Sequence, residues 1–416
     1  MLEGYGLSLA RNAFWNFLGV LIPSLAALPA IGYLARVLGV ENFGLLTLSF
    51  AIIGYASIFD LGLSRAVIRE VALSSDKGSE VNKAVGTSSV VVTIAGFTCA
   101  LLLYFNSERL ASSLGVTAGN WPDVVLGLNY LSFAIVPLLL STVWFSFLEG
   151  RGDFRNLNFL KIISGLAVAI IPAAWVWISG DERFSVAMLG LVASRIFVML
   201  LAYVFCVLPF GLRVHVFDYF TFKRLINYGG WITVSNFISP VMVYFDRFFI
   251  SSHLGAATVA LYSAPSEVIG RVAFVPTSIS RVIFQRLSLD SSDSIQTRVA
   301  YKMTFVVCGL SSALIFFGSD IILSVWLGDK YLGEASLVLK ILAVGFLFNS
   351  LAQIPFAKIQ AEGNSRLTAI LHIFEVLPYL ALLYFLVLHS SIVGAAIAWT
   401  VRVSVDFLLL EYFSRK

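Results

Sequence analysis

The chain has 416 residues, of which 59% are hydrophobic and only 12% charged. A soluble globular protein carries about a quarter charged residues, so this composition excludes a water-soluble enzyme and points to a polytopic membrane protein. The net charge of +4 comes from scattered Lys and Arg, with no basic patch of the kind that holds nucleic acid.

A helix needs about 20 mostly apolar residues to cross the hydrocarbon. Taken in chain order, such runs are predicted over 13–35, 43–64, 84–105, 123–147, 157–179, 185–209, 225–252, 257–280, 299–318, 335–357, 367–388 and 392–413. That is twelve, six in each half. The first run follows a lone Arg11 and continues to Tyr33, so it reads as a retained helix rather than a cleaved signal peptide. Cys99, Cys206 and Cys308 fall inside apolar runs and read as small buried hydrophobes, without disulfide or metal-ligand spacing. The four histidines are dispersed. Of the 28 Lys and Arg, nineteen fall at ends and loops on one side of the predicted spans, five on the other and four within spans. By the positive-inside rule both termini are expected in the cytoplasm.

The second half repeats the first. Trp15, Pro23 and Leu38-Gly39 sit at nearly the spacing of Trp231, Pro240 and Leu254-Gly255, and the Trp-to-Gly separation is 24 residues in both copies. The longest polar stretches, Leu73–Lys83 and Leu287–Arg298, occupy equivalent places after the second span of each half. Glu149-Gly150 and Glu362-Gly363 form a third pair. An even number of spans per half makes the halves parallel repeats, and Pro-interrupted spans in matching places point to a transporter's central site. The expected architecture is all-α, two six-helix bundles (1–212 and 213–416) around a central cavity.

The charged residues read at bilayer depth are Arg195, Asp246, Arg247, Glu267, Arg271, Glu375, Arg402 and Asp406. Such residues cost several kcal/mol at bilayer depth and usually face a cavity or a partner. At about 1.5 Å per residue, Arg195, Arg402, Glu267 and Glu375 are expected near one plane. Two readings stand for the pairs. Glu267 with Arg271, and Arg402 with Asp406, have the four-residue spacing for neutralisation on one helix face; alternatively they contact a substrate. Arg195 has no acidic residue within four positions, so it pairs across helices, with Glu375 a candidate, or awaits an anion, whose oxygens a guanidinium grips bidentately. Asn12, Asn16 and Asn236, near the repeated Trp, suit helix–helix hydrogen bonds or sugar contacts. His372, three residues before Glu375, suits a proton relay or a packed histidine. There is no phosphate-binding glycine loop, no GxSxG, no HExxH and no aspartate-rich cluster, which argues against a membrane-embedded transferase or polymerase.

The segments Arg36-Val-Leu-Gly-Val-Glu-Asn-Phe-Gly44, Phe59-Asp-Leu-Gly-Leu-Ser64 with Arg69, Asp246-Arg247 leading to Leu254-Gly255 and Tyr262, and Gly150 with Gly363 resemble the O-antigen and polysaccharide flippases of the multidrug/oligosaccharidyl-lipid/polysaccharide exporter superfamily. The resemblance covers essentially the whole chain. It implies a bacterial inner-membrane transporter that moves an undecaprenyl-diphosphate-linked oligosaccharide from the cytoplasmic to the periplasmic leaflet by alternating access, with Na+ or H+ as coupling ion and the polysaccharide polymerase machinery as a partner. In that reading Arg195, Arg247, Arg271 and Arg402 serve the diphosphate, and Asn16 and Asn236 the sugars. Asp246, Glu267, Glu375 and Asp406 orient the arginines or hold the coupling ion. No catalytic residue, resident metal or nucleic acid is expected. The alternative is a cation-coupled multidrug exporter of the same superfamily, which typically leans on acidic cation sites; Arg195 departs from that pattern.

Overall fold

Hydrocarbon offers no partner to a bare N–H or C=O, so a spanning chain satisfies its backbone within helices. The computed structural model describes residues 2–74, 78–287, 294–362 and 364–415, with side chains for all of these except 2–18, 20, 230–241, 281–287, 294–296, 365 and 369. No strand occurs among them. The first half runs through α1 (Leu2–Val37), α2 (Gly39–Ala56), α3 (Leu63–Leu73), α4 (Gly78–Phe105) and the short α5 (Ser107–Ser113). It continues through α6 (Trp121–Ser132), α7 (Ile135–Gly150), α8 (Phe154–Ser179) and α9 (Phe184–Ala202). The second half holds α10 (Tyr219–Leu254), α11 (Ala256–Val272), α12 (Phe274–Leu287), α13 (Ser294–Leu327), α14 (Glu334–Ala361) and α15 (Ser365–Ser414).

The predicted runs fall on helical backbone interrupted within 43–64, 123–147 and 257–280. Over the described residues, eight segments are long and apolar enough to cross a membrane: Gly39–Asp60, Gly78–Phe105, Trp121–Gly150, Phe154–Ser179, Phe184–Phe210, Thr297–Leu327, Glu334–Ala361 and Arg366–Ser414. The protein is therefore an all-helical, multi-pass membrane protein. The runs at 13–35 and 225–252 lie on helical backbone and partly outside the described side chains, and the run at 257–280 is divided between α11 and α12 at Ala273. The last segment contains two predicted runs. At about 1.5 Å per residue its length is more than twice the hydrocarbon thickness, and non-helical angles at Ser390 and Ser391 break it where the sequence separates 367–388 from 392–413.

The two Leu-Gly turns of the repeat both hold their glycine at positive φ. Gly39 has φ +77° and Gly255 φ +87°, and each opens the helix that follows, α2 in one half and α11 in the other. Gly150 ends α7 as its last residue; its counterpart Gly363 lies outside the described residues.

Two compact units divide the chain, Met1–Tyr244 and Phe245–Lys416. The division falls within α10, later than the 212/213 boundary that the repeat suggests. In the first unit, Val67 and Val71 of α3, Val85 and Val92 of α4, Leu139, Val143 and Phe147 of α7, and Leu157 and Leu160 of α8 form a buried core joined by Leu225 of α10. The Trp144 indole donates to Ser89 Oγ at 3.0 Å, pinning α7 to α4. Asp218 caps α10: its carboxylate accepts from the Thr221 amide at 2.8 Å, and the bonds from Thr221 hold that carboxyl below its ordinary range.

In the second unit, α14 packs against α11, α12, α13 and α15. Ser312 Oγ donates to Ala343 O at 2.7 Å and Thr400 Oγ1 to Ile341 O at 3.1 Å, tying α13 and α15 to α14. Helix α13 shows how the surface is built. Leu310, Leu314, Phe317, Ile321 and Val325 are exposed, while Cys308, Ser312, Ile315, Ser319 and Leu323 are buried. An apolar stripe at helical spacing turned outward, with serines turned inward, is the pattern of a helix bathed in lipid.

The helix predicted over 43–64 breaks early. α2 ends at Ala56, a 3₁₀ turn spans Ser57–Asp60, and Leu61 and Gly62 both have positive φ before α3 begins. The buried Asp60 carboxylate accepts from the Ser64 hydroxyl at 2.7 Å and from its amide at 3.2 Å, holding the turn. The break brings Gly62 against α10, where a Cβ on Gly62 would lie 2.2 Å from Gly229 O. Around this crossing Arg224 pairs with Glu70 at 2.7 Å and Glu80 at 3.2 Å, and the Arg69 guanidinium sits 4.8 Å from the Tyr228 ring centroid. Gly62→Ala is expected to combine a left-handed backbone penalty with overpacking, a loss of roughly 2 kcal/mol or more. Thermal unfolding of the purified variant in detergent checks this, with Gly78→Ala, where a Cβ meets nothing, as the control.

Candidate functional site

The charged residues predicted inside the membrane gather in the second unit, on α10, α11 and α15. Asp246 is buried; its Oδ2 accepts from the Tyr262 hydroxyl of α11 at 2.6 Å, and its Oδ1 accepts from the Arg247 amide at 2.7 Å. Glu267 bridges two guanidiniums: Arg247 at 3.6 Å from α10 and Arg271 at 3.3 Å from its own helix. The predicted Glu267–Arg271 pair therefore forms, and it recruits Arg247.

The second predicted pair does not. No ion pair joins Arg402 to Asp406 within 4.0 Å; Arg402 instead lies over the Tyr379 ring, 5.2 Å from its centroid. The reason is directional. Side chains on a helix lean toward its N-terminus, so an acid that precedes its base by four residues meets it better than the reverse order. Glu267–Arg271 has the favourable order and Arg402–Asp406 the unfavourable one. Arg402 is near enough to Asp246 and Glu375 to act on both through space. Asp406 lies 3.7 Å from His372 Nε2 and acts on Glu375 through space. Seven of the predicted residues thus share one site with Tyr262, Tyr379 and His372.

Arg195 stands apart, on α9 of the first unit. Its Nε is buried without a hydrogen-bond partner, and among the described residues of its unit no carboxylate lies within ion-pair distance. The neighbouring Ser194 hydroxyl is already committed to Leu191 O at 2.6 Å. Asn16 and Asn236, with Asn12, Trp15, Trp231 and Pro240, lie outside the described side chains. Among the described residues no group of three or more His, Cys, Asp or Glu is placed to hold a metal ion.

Sequence reasoning left Tyr262 as a position in a motif; the structure makes it the donor to a buried aspartate. Its signal was a tyrosine in an apolar run sixteen residues after that aspartate, readable only once the Leu254-Gly255 turn folds α11 back on α10. Tyr379 carried a weaker signal, four residues beyond Glu375 on the same face.

Residues 9–288 match the family described as polysaccharide biosynthesis protein. A Shigella flexneri protein named for O-antigen transport is 41% identical over 98% of this chain and 97% of its own length. The chain belongs to the polysaccharide biosynthesis protein family. Its fold is also that of solved transporters. The structure of the lipid II flippase MurJ in an inward closed conformation matches with a TM-score of 0.80 at 16% identity, covering 98% of this chain and 88% of that one. An inward-facing multidrug resistance MATE family transporter matches with a TM-score of 0.79, also at 16% identity, covering 96% and 97%. The two likenesses are equal in strength and establish the fold alone; the sequence relative separates this polysaccharide-family chain from the drug exporters.

Tyr262→Phe is expected to leave the buried Asp246 carboxylate short of its hydroxyl donor, a loss of roughly 1–3 kcal/mol. The melting temperature in detergent should fall for Tyr262→Phe and stay unchanged for Tyr219→Phe, at an exposed position.

Proposed function

We infer that the chain is a transporter, not an enzyme, and that it flips a lipid-linked oligosaccharide, the repeat unit of an O-antigen or related polysaccharide, across the membrane. The observation that carries this reading is the 41% identity, end to end, with the protein named for O-antigen transport. An undecaprenyl-diphosphate carrier is the proposed lipid, the cytoplasmic leaflet of a bacterial inner membrane the origin and the periplasmic leaflet the destination. The distribution of Lys and Arg supports cytoplasmic termini, and twelve spans by alternating access are the proposed cycle.

The chemistry of the substrate fits the side chains on offer. A diphosphate offers pairs of anionic oxygens that the planar, two-pronged guanidinium can grip bidentately. Arg195, with a buried and unpaired Nε, is the proposed anchor in the first unit. Arg247, Arg271 and Arg402 are proposed to supply positive charge in the second. Asn16 and Asn236 are proposed sugar contacts, and the carboxylates hold the arginines or the coupling ion. The periplasmic polymerase machinery is the proposed consumer of the flipped unit. A cation-coupled drug exporter is the rival, and it predicts efflux of cationic dyes.

A cell lacking the gene should trap intact lipid-linked repeat units in the inner leaflet and lose surface polysaccharide, and the gene should restore it. Normal surface polysaccharide with new dye sensitivity would overturn the flippase reading. Arg195→Ala should lower flipping roughly tenfold or more, the scale of one lost charged hydrogen bond, with protein yield unchanged. Arg195→Lys separates the two roles of the group: a charge alone survives that change, whereas bidentate geometry does not.

A further inference from the structure

The end of the first unit that the distribution of Lys and Arg assigns to the cytoplasm carries more positive charge than it neutralises. Among the described residues there, Arg65, Arg69, Arg151, Arg155, Arg213 and Lys223 have no carboxylate within ion-pair distance. The described carboxylates of this end are already engaged. Glu70 and Glu80 pair with Arg224, Glu80 also with Lys83, and Glu149 with Lys161. Asp60 accepts from Ser64, Asp153 from Asn156 at the start of α8, and Asp218 from Thr221 at the start of α10.

Scattered in sequence, four of these cations are gathered around the linker between α9 and α10. The linker backbone lies along α4. The Arg213 amide donates to Asn82 Oδ1 and the Asp218 amide to Thr87 Oγ1, both at 3.0 Å. Gly86 permits the close approach, since a Cβ there would lie 2.4 Å from Arg213 O and 2.6 Å from Val216 O. With its backbone held inward, the linker turns side chains outward. Phe217, Tyr219 and Phe220 are exposed, the last by 81%, next to exposed Arg213 and Lys223. On the flanks, the Arg151 guanidinium lies 4.5 Å from the Phe210 ring centroid and that of Arg69 4.8 Å from the Tyr228 centroid. Exposed Phe205 and Leu208 lead into the linker from the run predicted over 185–209, so the patch continues the lipid-facing surface.

Neither bulk phase suits this surface. In water, bare aromatic rings side by side form an apolar patch that seeks cover. In hydrocarbon, cations without partners are costly. The boundary between the two satisfies both, because aromatic rings settle at headgroup level and Lys and Arg there meet the phosphates of anionic lipids. A nucleic acid or an acidic protein would answer the charges and leave the rings wet. We propose that the linker is a binding site for anionic phospholipid headgroups of the adjoining leaflet. Arg213 and Lys223 hold the phosphate, Phe217, Tyr219 and Phe220 enter the headgroup layer, and Arg69 and Arg151 extend the site to either side. The lipid thereby sets the level at which the connection between the two repeated halves sits in the membrane.

The test follows the melting temperature of the full-length protein in an uncharged detergent, which rises as a ligand binds the folded state. Dioctanoyl phosphatidylglycerol should raise it and dioctanoyl phosphatidylcholine should not. The Arg213 and Lys223 side chains hold no hydrogen bond or ion pair, so without lipid Arg213→Gln and Lys223→Gln should melt with the wild type. Each should need about fivefold more phosphatidylglycerol for half the shift, the factor for one Lys or Arg at an anionic surface. Phe220→Ala should need more as well. A wild type that answers both lipids equally overturns the site, and so do variants that answer phosphatidylglycerol as the wild type does. Stabilisation by inorganic diphosphate or undecaprenyl diphosphate through Arg213 and Lys223, with none by phosphatidylglycerol, would overturn the phospholipid in favour of a free phosphate or the lipid carrier. None of these outcomes depends on what the protein transports.

Discussion

Hydrocarbon supplies neither donors nor acceptors, and the internal bonding of this chain answers that deficit residue by residue. Small hydroxyls are the commonest solution. Thr47 bonds back to Gly44 O, Ser49 to Leu45 O, Ser89 to Val85 O and Ser350 to Phe346 O, each within its own helix. A few hydroxyls reach outward instead, and those few fix the helix register: Ser312 and Thr400 both land on carbonyls of α14. On α13, Ser312 and Ser319 lie inward while Leu310, Leu314 and Phe317 face out, so polar spots are set in an apolar contact.

Charges obey the same rule at higher stakes. In the second unit several charges act on partners: Asp246 with Tyr262, Glu267 with two guanidiniums, Arg402 on the face of Tyr379. Arg195 in the first unit is the contrast, a guanidinium whose buried nitrogen finds no acceptor among the described residues of its unit. A site that must grip and then release an anion cannot satisfy its own cations beforehand. Arg195 Nε keeps an unused donor, whereas Glu267 is shared by two guanidiniums.

Much of this was legible in sequence because the membrane imposes a coarse ruler. Twenty apolar residues in a row are helix for reasons that need no tertiary knowledge, and most of each predicted run lies on helix. The Leu-Gly turns were readable because only glycine adopts their positive φ without penalty. What could not be read was which helix meets which. Spacing alone made Glu267–Arg271 and Arg402–Asp406 equivalent, and the order of acid and base separates them. The Gly62–Gly229 crossing was hidden in the same way: one glycine stands in a recognisable motif and the other in an unremarked Gly-Gly pair, and nothing local says that they touch.

That crossing also bears on how the protein is made. Glu70, buried on α3, finds Arg224 only after some 150 further residues have left the ribosome, and the Gly62 turn waits equally long for Gly229. The first six predicted spans therefore enter the bilayer with an unanswered carboxylate and an open groove at the end of α3. Their assembly is completed by the opening turns of the seventh. A chain severed after residue 212 would release an amino-terminal fragment missing its own keystone, whereas one severed beyond α10, at the Leu254-Gly255 turn, would carry it. The first compact unit thus extends beyond the boundary that the sequence repeat suggests, taking in most of α10.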